Sequence, residues 1–314
     1  MKNLFIINPV SGGRKHKYTE TESLIQSVMQ DSDKPYEIYI TTTTMDACEK
    51  VKAEADLSDE LRVYACGGDG TLNECINGAV GRTNVSITNF PCGTGNDFIK
   101  TFGAEKQFKE LSALVNGVVR PIDIIDCGGR YGINICSVGI DARIGADVHK
   151  YSGIPLIGGS AGYVTSLIVN LVRGVNSNFN VKTKNGSISG DFALVCACNG
   201  RFYGGGFNPV PDAMPDDGLI DFLVVSKLTR LKFIGMVGKY AKGRFRELGD
   251  IVTHVRGTEM EIESDDAFVV NVDGEVIYTK KVHFQIIPKG VNFIFPANME
   301  FFESNYKKNI AIGR

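Results

Sequence analysis

Blocks of apolar residues alternate with blocks of helical periodicity from the start of the chain to Arg120. The apolar blocks predict strands at 4–7, 36–40, 62–66 and 85–90, and the periodic blocks predict helices at 17–29, 46–55 and 72–78. This alternation is typical of a doubly wound α/β domain with a parallel sheet. In such a domain ligands bind where the strands end at their carboxyl side, so we expect a site there.

The pattern changes after Pro121, where short runs of β-forming residues are separated by turn residues such as Asn185-Gly186 and Asp273-Gly274. Strands are predicted at 133–138, 180–184, 191–197, 219–225, 259–262, 268–272, 276–278 and 282–287, and helices near 163–172 and 230–242. Short strands with hairpin turns favour a second domain built as an antiparallel β-sandwich.

Composition narrows the class of protein. The chain has 314 residues, 43% of them hydrophobic and 22% charged, and its formal net charge is −2. These values are typical of a globular protein with no general attraction to nucleic acid. The eight cysteines form no C-x-x-C pair, which favours reduced core residues, a cytoplasmic location and no zinc site. The apolar segment at 154–172 is read as loop and buried helix.

Three glycine-bearing loops follow predicted strands of the first domain, namely Asn8–Gly13, Gly67–Thr71 and Pro91–Asp97. The ends of parallel strands meet at one sheet edge, so the loops are expected to form a cradle of backbone N–H groups for a polyphosphate. Asp69 within the second loop suits a metal ion, a water or a hydroxyl. The alternative is three independent turns. Neither G-x-x-x-x-G-K-[ST] nor G-x-G-x-x-G occurs.

Two acidic turns and one basic stretch are further candidates. The turn Pro211–Gly218 suits Mg²⁺ or Ca²⁺, although a capped β-turn explains it equally well. The stretch Asn271–Glu275 is first a hairpin, in which Glu275 could act as a general base toward an alcohol. Between Phe222 and Arg246 there is no acidic residue, which suits either an anionic lipid surface or a solvated helix face.

These motifs make the chain resemble the soluble diacylglycerol kinase family, the bacterial lipid kinases related to sphingosine kinases. The matching motifs are Asn8-Pro9-x-Ser11-Gly12, Gly67-Gly68-Asp69-Gly70-Thr71-Leu72-Asn73-Glu74, Gly93-Thr94-Gly95-Asn96-Asp97-Phe98, Asp217-Gly218-Leu219 and Asp273-Gly274-Glu275. They occur in family order over nearly the whole chain. The second motif also belongs to NAD kinases, and the other four make the resemblance specific to lipid kinases.

The resemblance implies an α/β nucleotide-binding domain at 1–122 with a returning segment at about 290–314, and a β-sandwich acceptor domain at 123–289, with ATP in the cleft between them. The residues expected to contact ATP are Asn8, Pro9, Val10, Ser11, Gly12, Thr41, Gly68, Asp69, Gly70, Thr71, Leu72, Asn73, Glu74 and Thr94. Thr41 lies in a run of four threonines, so its register is open.

The resemblance also implies which residues bind metal and which carboxylates take part in catalysis. Asp217, with the main-chain oxygens of Met214 and Leu219, is expected to hold a structural Mg²⁺. Glu275 is expected to be the general base. Asp69, Asp97 and Asp123 are expected to form an acidic network behind a catalytic Mg²⁺.

The function implied is ATP- and Mg²⁺-dependent transfer of the γ-phosphoryl group to a lipid hydroxyl, with diacylglycerol as the first choice. Other lipid alcohols, an NAD kinase and a non-catalytic nucleotide-binding protein are the alternatives. The acceptor pocket is expected near 154–172 and 203–207. Expected partners are a membrane lipid and, transiently, an anionic membrane surface at which the protein is peripheral; a homodimer is compatible with the sequence.

Overall fold

Two units of different architecture make up the chain, of which the computed structural model describes residues 1–13, 17–30, 32–103, 105–152, 159–297, 299 and 301. The first unit is Met1–Ile122 with Gly290–Arg314, and the second is Asp123–Lys289. Residues 154–158 of the expected acceptor segment and 302–314 of the expected returning segment lie outside the described residues.

The first unit alternates strands and helices. Its elements are β1 (Lys2–Ile7), α1 (Lys17–Gln30), β2 (Tyr36–Ile40), α2 (Asp46–Leu57), β3 (Leu61–Gly67), α3 (Asp69–Ala79), β4 (Val85–Pro91), α4 (Asp97–Lys100), α5 (Glu105–Phe108) and α6 (Leu111–Val115). Strand β5 (Val118–Asp126) begins in this unit and ends in the second.

The sheet of the first unit is parallel, as the alternation predicts. Strand β1 lies between β2 and β3, and β4 pairs with the outer side of β3. All residues of β3 and β4 are buried, as expected for strands covered on both faces. The registers align Ile7 with Cys66 and Gly67 with Pro91, so β1, β3 and β4 end at one edge.

The structure corrects one boundary at this edge. The sequence predicts helix 72–78, whereas α3 already begins at Asp69, directly after β3. Gly68 occupies the N-cap position with no side-chain cap. Glycine at this position leaves the first N–H groups of the helix unprotected by a side chain, so they stay available to a ligand.

The second unit is mainly antiparallel. Its elements are β6 (Tyr131–Gly132), β7 (Ile135–Gly139), α7 (Ile140–Ser152), α8 (Gly159–Arg173), β8 (Ser177–Thr183), β9 (Gly186–Cys198), β10 (Ile220–Ser226), α9 (Arg230–Ala241), a 3-10 segment (Phe245–Ile251), β11 (Val252–Gly257), β12 (Glu259–Val272) and β13 (Glu275–Phe295). Strand β13 continues into the first unit, where Asn292 and Phe293 pair with β4 in parallel.

Strands of the second unit follow the order β11-β10-β9-β7-β12-β13, and β8 pairs with both β9 and β12. Buried apolar residues form two clusters. One lies among these strands and includes Phe179, Phe222 and Phe284. The other includes Phe233 and Tyr240 and joins the sheet to its helices. The two clusters correspond to the two faces of the alternating strands.

Several elements of this unit differ from the prediction. The segments at 259–262 and 268–272 form one strand, because the ladder between β12 and β13 continues across an irregularity at Glu263/Phe268. Strands β5 and β11 and helix α7 were not predicted from the pattern. Among the described residues, no helix has the length and apolar character needed to cross a bilayer.

Candidate active site

The three glycine-bearing loops of the first unit lie against one another at the edge where β1, β3 and β4 end. The Asn8 side-chain amide donates a hydrogen bond to Thr71 Oγ1 at 3.2 Å. A Cβ built on Gly12 would lie 2.7 Å from the carbonyl oxygen of Cys92. These contacts link the first loop to the second and to the third, so the predicted convergence is confirmed.

The second and third loops meet at two glycines. A Cβ built on Gly93 would lie 2.5 Å from the Cα of Gly68. The carbonyl oxygen of Gly67 accepts hydrogen bonds from the N–H groups of Cys92 at 3.0 Å and Gly93 at 3.2 Å. Backbone therefore packs on backbone here, and a side chain at Gly93 would separate the two loops.

Two carboxylates lie at the same edge. Asp69 Oδ1 accepts the backbone N–H of Asp97 at 2.7 Å, and Lys100 Nζ donates to Asp97 Oδ1 at 2.7 Å. Burial, and next the charge of Asp97, raise the pKa of Asp69, while three nearby backbone N–H groups lower it. A half-buried carboxylate beside a buried one is stabilised by a cation, so the pair suits Mg²⁺.

Asn96 holds the third loop in shape. Its backbone adopts the left-handed region (φ 50°), and its side-chain amide donates to the carbonyl oxygen of Gly93 at 2.8 Å. Its Oδ1 atom is buried and has no hydrogen-bond partner in the part of the chain that the structure describes. A buried unsatisfied oxygen is costly. Asn96 was not among the predicted site residues, although its place in the glycine motif was the available signal.

The remaining predicted ATP contacts fall into two groups by burial. Exposed or half-exposed at the loops are Pro9, Val10, Ser11, Gly68, Gly70 and Thr94. Leu72 and Asn73 are buried inside α3. Glu74 accepts the N–H of Ala47 at 3.2 Å, and Thr41 donates its N–H to the Ile7 carbonyl at 2.9 Å. The described contacts of these residues are structural, and their roles toward ATP stay predictions.

In the second unit, the acidic turn is tied to Asp123. The carboxylate of Asp123 accepts the N–H groups of Gly218 at 2.7 Å and Lys289 at 2.8 Å. Its own N–H donates to the Pro215 carbonyl at 2.7 Å. Burial raises the pKa of Asp123. The structure thus brings Asp123 together with the turn that carries Asp217.

Asp217 is ion-paired. Its Oδ2 contacts the Arg256 guanidinium, and its Oδ1 accepts the N–H of Leu219 at 3.1 Å. Burial raises the pKa of Asp217 to about 6 against the opposing effect of Arg256. The Mg²⁺ site expected at Asp217 with the main-chain oxygens of Met214 and Leu219 stays a prediction. Within the described residues, no three or more His, Cys, Asp or Glu side chains form a metal cluster.

The hairpin between β12 and β13 separates two acids that the sequence places side by side. Asp273 and Gly274 form the turn with φ of 52° and 101°. The Asp273 carboxylate accepts the N–H groups of Ile133 at 2.6 Å, Asn134 at 3.0 Å and Ile135 at 2.9 Å. Asp273 therefore anchors the start of β7, a long-range role that sequence reasoning missed.

Glu275 follows that turn and pairs through its backbone with Val272. Its side chain is half-buried and has no hydrogen bond or ion pair to any residue that the structure describes. A carboxylate fixed on a strand and not used by its surroundings is suited to accept a proton from a ligand. The hairpin prediction is confirmed, and the base role of Glu275 stays a prediction.

A polar cluster surrounds Asp141 at the start of α7. Its two oxygens accept hydrogen bonds from Ser137 Oγ at 2.7 Å and Tyr203 OH at 3.2 Å. Tyr203 OH lies 3.4 Å from Tyr240 OH, which lies 2.9 Å from Cys196 Sγ. Burial raises the pKa of Asp141, and no cationic side chain among the described residues pairs with it. Sequence reasoning singled out Tyr203 and missed Asp141.

Together, the parallel sheet and its glycine loops define a class of protein, the α/β domains that hold an anionic ligand at strand ends. Comparison with known proteins makes the class specific. Residues 2–127 match the family model "Diacylglycerol kinase catalytic domain". Residues 134–295 match "YegS C-terminal NAD kinase beta sandwich-like domain". The chain belongs to the family of diacylglycerol kinases and related lipid kinases.

Individual relatives agree with this family. A protein described as a putative lipid kinase from Staphylococcus haemolyticus is 27% identical over 256 residues, which cover 81% of this chain and 82% of the relative. A crystal structure described as a putative diacylglycerol kinase from Bacillus anthracis is 23% identical. It has a TM-score of 0.74 and covers 95% of this chain and 96% of its own. The second of these likenesses concerns the fold.

Proposed function

We propose that this protein transfers the γ-phosphoryl group of ATP to the hydroxyl of a lipid, with diacylglycerol as the favoured acceptor. The observation that carries the proposal is the packing of three glycine loops at the start of α3, next to Asp69 and Asp97. Exposed backbone N–H groups at a helix start bind phosphate without a basic side chain. Its curated relatives are described as putative lipid kinases.

In this proposal the first unit binds the triphosphate. The loops at Asn8–Gly12, Gly68–Thr71 and Thr94 supply N–H groups and close backbone approach. Asp69 and Asp97 would hold a catalytic Mg²⁺, and the turn at Asp217 a structural one. When bound, Mg²⁺ neutralises phosphate charge. The described contacts that favour this role are the juxtaposition of half-buried Asp69 with buried Asp97 and the ion pair of Asp97 with Lys100.

The second unit supplies the acceptor chemistry. Glu275, which the described contacts leave unused, would accept the proton of the lipid hydroxyl. Asp273 next to it is already occupied by three backbone N–H groups and keeps the hairpin rigid. The polar groups of Asp141 and Tyr203 would position the acceptor headgroup, since they are partly accessible.

The test has two parts. The protein is incubated with radiolabelled ATP, Mg²⁺ and one acceptor at a time, namely detergent-dispersed diacylglycerol, other lipid alcohols or NAD. We expect labelled phosphatidic acid as the main product.

Glu275→Gln is expected to lower kcat by about 10²-fold or more with an unchanged unfolding temperature. Glu259→Gln at the start of β12 is the matched control. Label in NAD instead of lipid would contradict the acceptor class, and a kcat near wild type in Glu275→Gln would remove Glu275 from its role.

A further inference from the structure

Helix α9 presents apolar side chains on two sides. Phe233, Met236 and Tyr240 are buried and anchor the helix to the second unit. Leu231 and Ile234, on the other side, are 83% and 58% exposed. Tertiary packing therefore buries one face of α9 and leaves Leu231 and Ile234 in contact with solvent.

Helix α8 adds to the same surface. Ile168 and Val172 are 55% and 71% exposed. Arg230, the first residue of α9, donates to the carbonyl oxygens of Leu171 at 2.6 Å and Val172 at 2.8 Å. The start of α9 therefore lies against the end of α8, beside a cavity of about 410 Å³ lined by residues 174–176 and 228–231. We call Ile168, Val172, Leu231 and Ile234 the apolar patch.

The two helices that carry the apolar patch contribute no negative charge to it. Neither α8 nor α9 contains an acidic residue. Of the cations nearby, Lys227 is paired with Asp191 at 2.8 Å and Arg173 with Asp147 at 2.6 Å. Lys232, on α9 next to Leu231, is exposed and has no ion pair with any described residue. Arg230 donates to carbonyl oxygens and has no carboxylate partner among the described residues.

We propose that the apolar patch docks the protein on an anionic lipid bilayer, with Leu231 and Ile234 entering the interface and Lys232 and Arg230 among the headgroups. Exposed aliphatic side chains on a helix without acidic residues, flanked by Lys232 and Arg230, complement such a surface in both polarity and charge. This inference rests on the proposed function in one respect: a lipid kinase has to reach an acceptor that lies in a membrane. Docking itself does not require turnover.

The experiment measures flotation of the full chain with vesicles of phosphatidylcholine, with and without phosphatidylglycerol, at low and high salt. We expect binding to the vesicles that contain phosphatidylglycerol, weakened by salt. Leu231→Glu and Lys232→Glu are each expected to lower the partition coefficient by about tenfold or more. Matched controls are Leu57→Glu, at an apolar side chain 81% exposed on α2, and Lys184→Glu in the hairpin between β8 and β9.

Kinase assays with a short-chain, detergent-dispersed diacylglycerol separate docking from chemistry. Leu231→Glu and Lys232→Glu should keep wild-type kcat on that substrate while losing activity on vesicles. Wild-type vesicle binding by both variants, or equal loss in the two controls, would overturn the docking surface. Absence of vesicle binding by the wild-type protein at low salt would do so too. Failure to phosphorylate any lipid, with vesicle binding intact, would instead overturn the proposed function.

Discussion

Gly93→Ala tests whether close backbone packing of the loops creates the nucleotide site. The added Cβ would lie 2.5 Å from the Cα of Gly68, and ordinary contact begins at 3.4 Å. The shortfall is therefore about 0.9 Å, and it cannot be relieved by a rotamer change, because the position of the Cβ is fixed by the backbone and the Gly68 Cα is itself a backbone atom. The chain at Gly68, directly before the first N–H groups of α3, has to move.

The expected cost follows from this displacement. Overpacking by one methyl group costs about 1–3 kcal/mol, which lowers the unfolding temperature by roughly 5 °C in a domain of this size. Moving Gly68 also misaligns the N–H groups proposed to bind the triphosphate. Loss of one hydrogen bond to a charged group corresponds to about a tenfold increase in the KM for ATP or more.

The assay combines thermal unfolding with the KM for ATP at saturating lipid. Gly190→Ala is the neutral control, because a Cβ there has no atom within 4 Å. Gly68→Ala examines the same contact from the opposite loop, where the added Cβ would be 3.4 Å from Gly93 Cα, so a smaller loss of stability is expected. If Gly93→Ala keeps both the unfolding temperature and the KM of the wild type, the loops do not depend on this contact.

Two further predictions concern carboxylates. Asp273→Asn removes a charge that accepts three backbone N–H groups, and it should cost about 2 kcal/mol; an unfolding temperature equal to that of Glu275→Gln would contradict the anchoring role. Burial raises the pKa of Asp69 in the folded protein above its ordinary value of 3.8. The contribution of Asp69 to the free energy of unfolding therefore decreases as the pH rises from 3.8 through the pKa of the folded protein. Asp69→Asn should therefore unfold at a higher temperature than wild type at pH 7 while losing kinase activity, and a lower unfolding temperature would refute the argument.

Much of the first unit could be predicted because its signals are local and repeated. Strands β3 and β4 are buried along their whole length, and a short apolar block ended by glycine predicts such a strand without any tertiary information. Parallel pairing then places the ends of β1, β3 and β4 at one edge. The convergence of the three loops followed from topology alone.

The second unit was harder to predict because its decisive contacts join distant parts of the chain. Asp273 and Glu275 are indistinguishable as acids in a hairpin motif, and only the N–H groups at 133–135, far away in sequence, show which one is occupied. Helix α9 has apolar residues at several helical spacings, so periodicity could not decide which stripe is buried. Tertiary packing selected Phe233 and Met236.

The carboxylates of the chain divide by what surrounds them, and this division is the physical basis for the proposed chemistry. Asp123 and Asp273 are surrounded by backbone donors that fix turns, which is a structural use of negative charge. Asp69 is half-buried beside a second carboxylate, an arrangement that folding alone disfavours and a bound cation compensates. Glu275 has no hydrogen-bond or ion-pair partner among the described residues. Acids that cost stability or lack partners are the ones expected to serve a ligand, because selection for folding alone gives no reason to keep them.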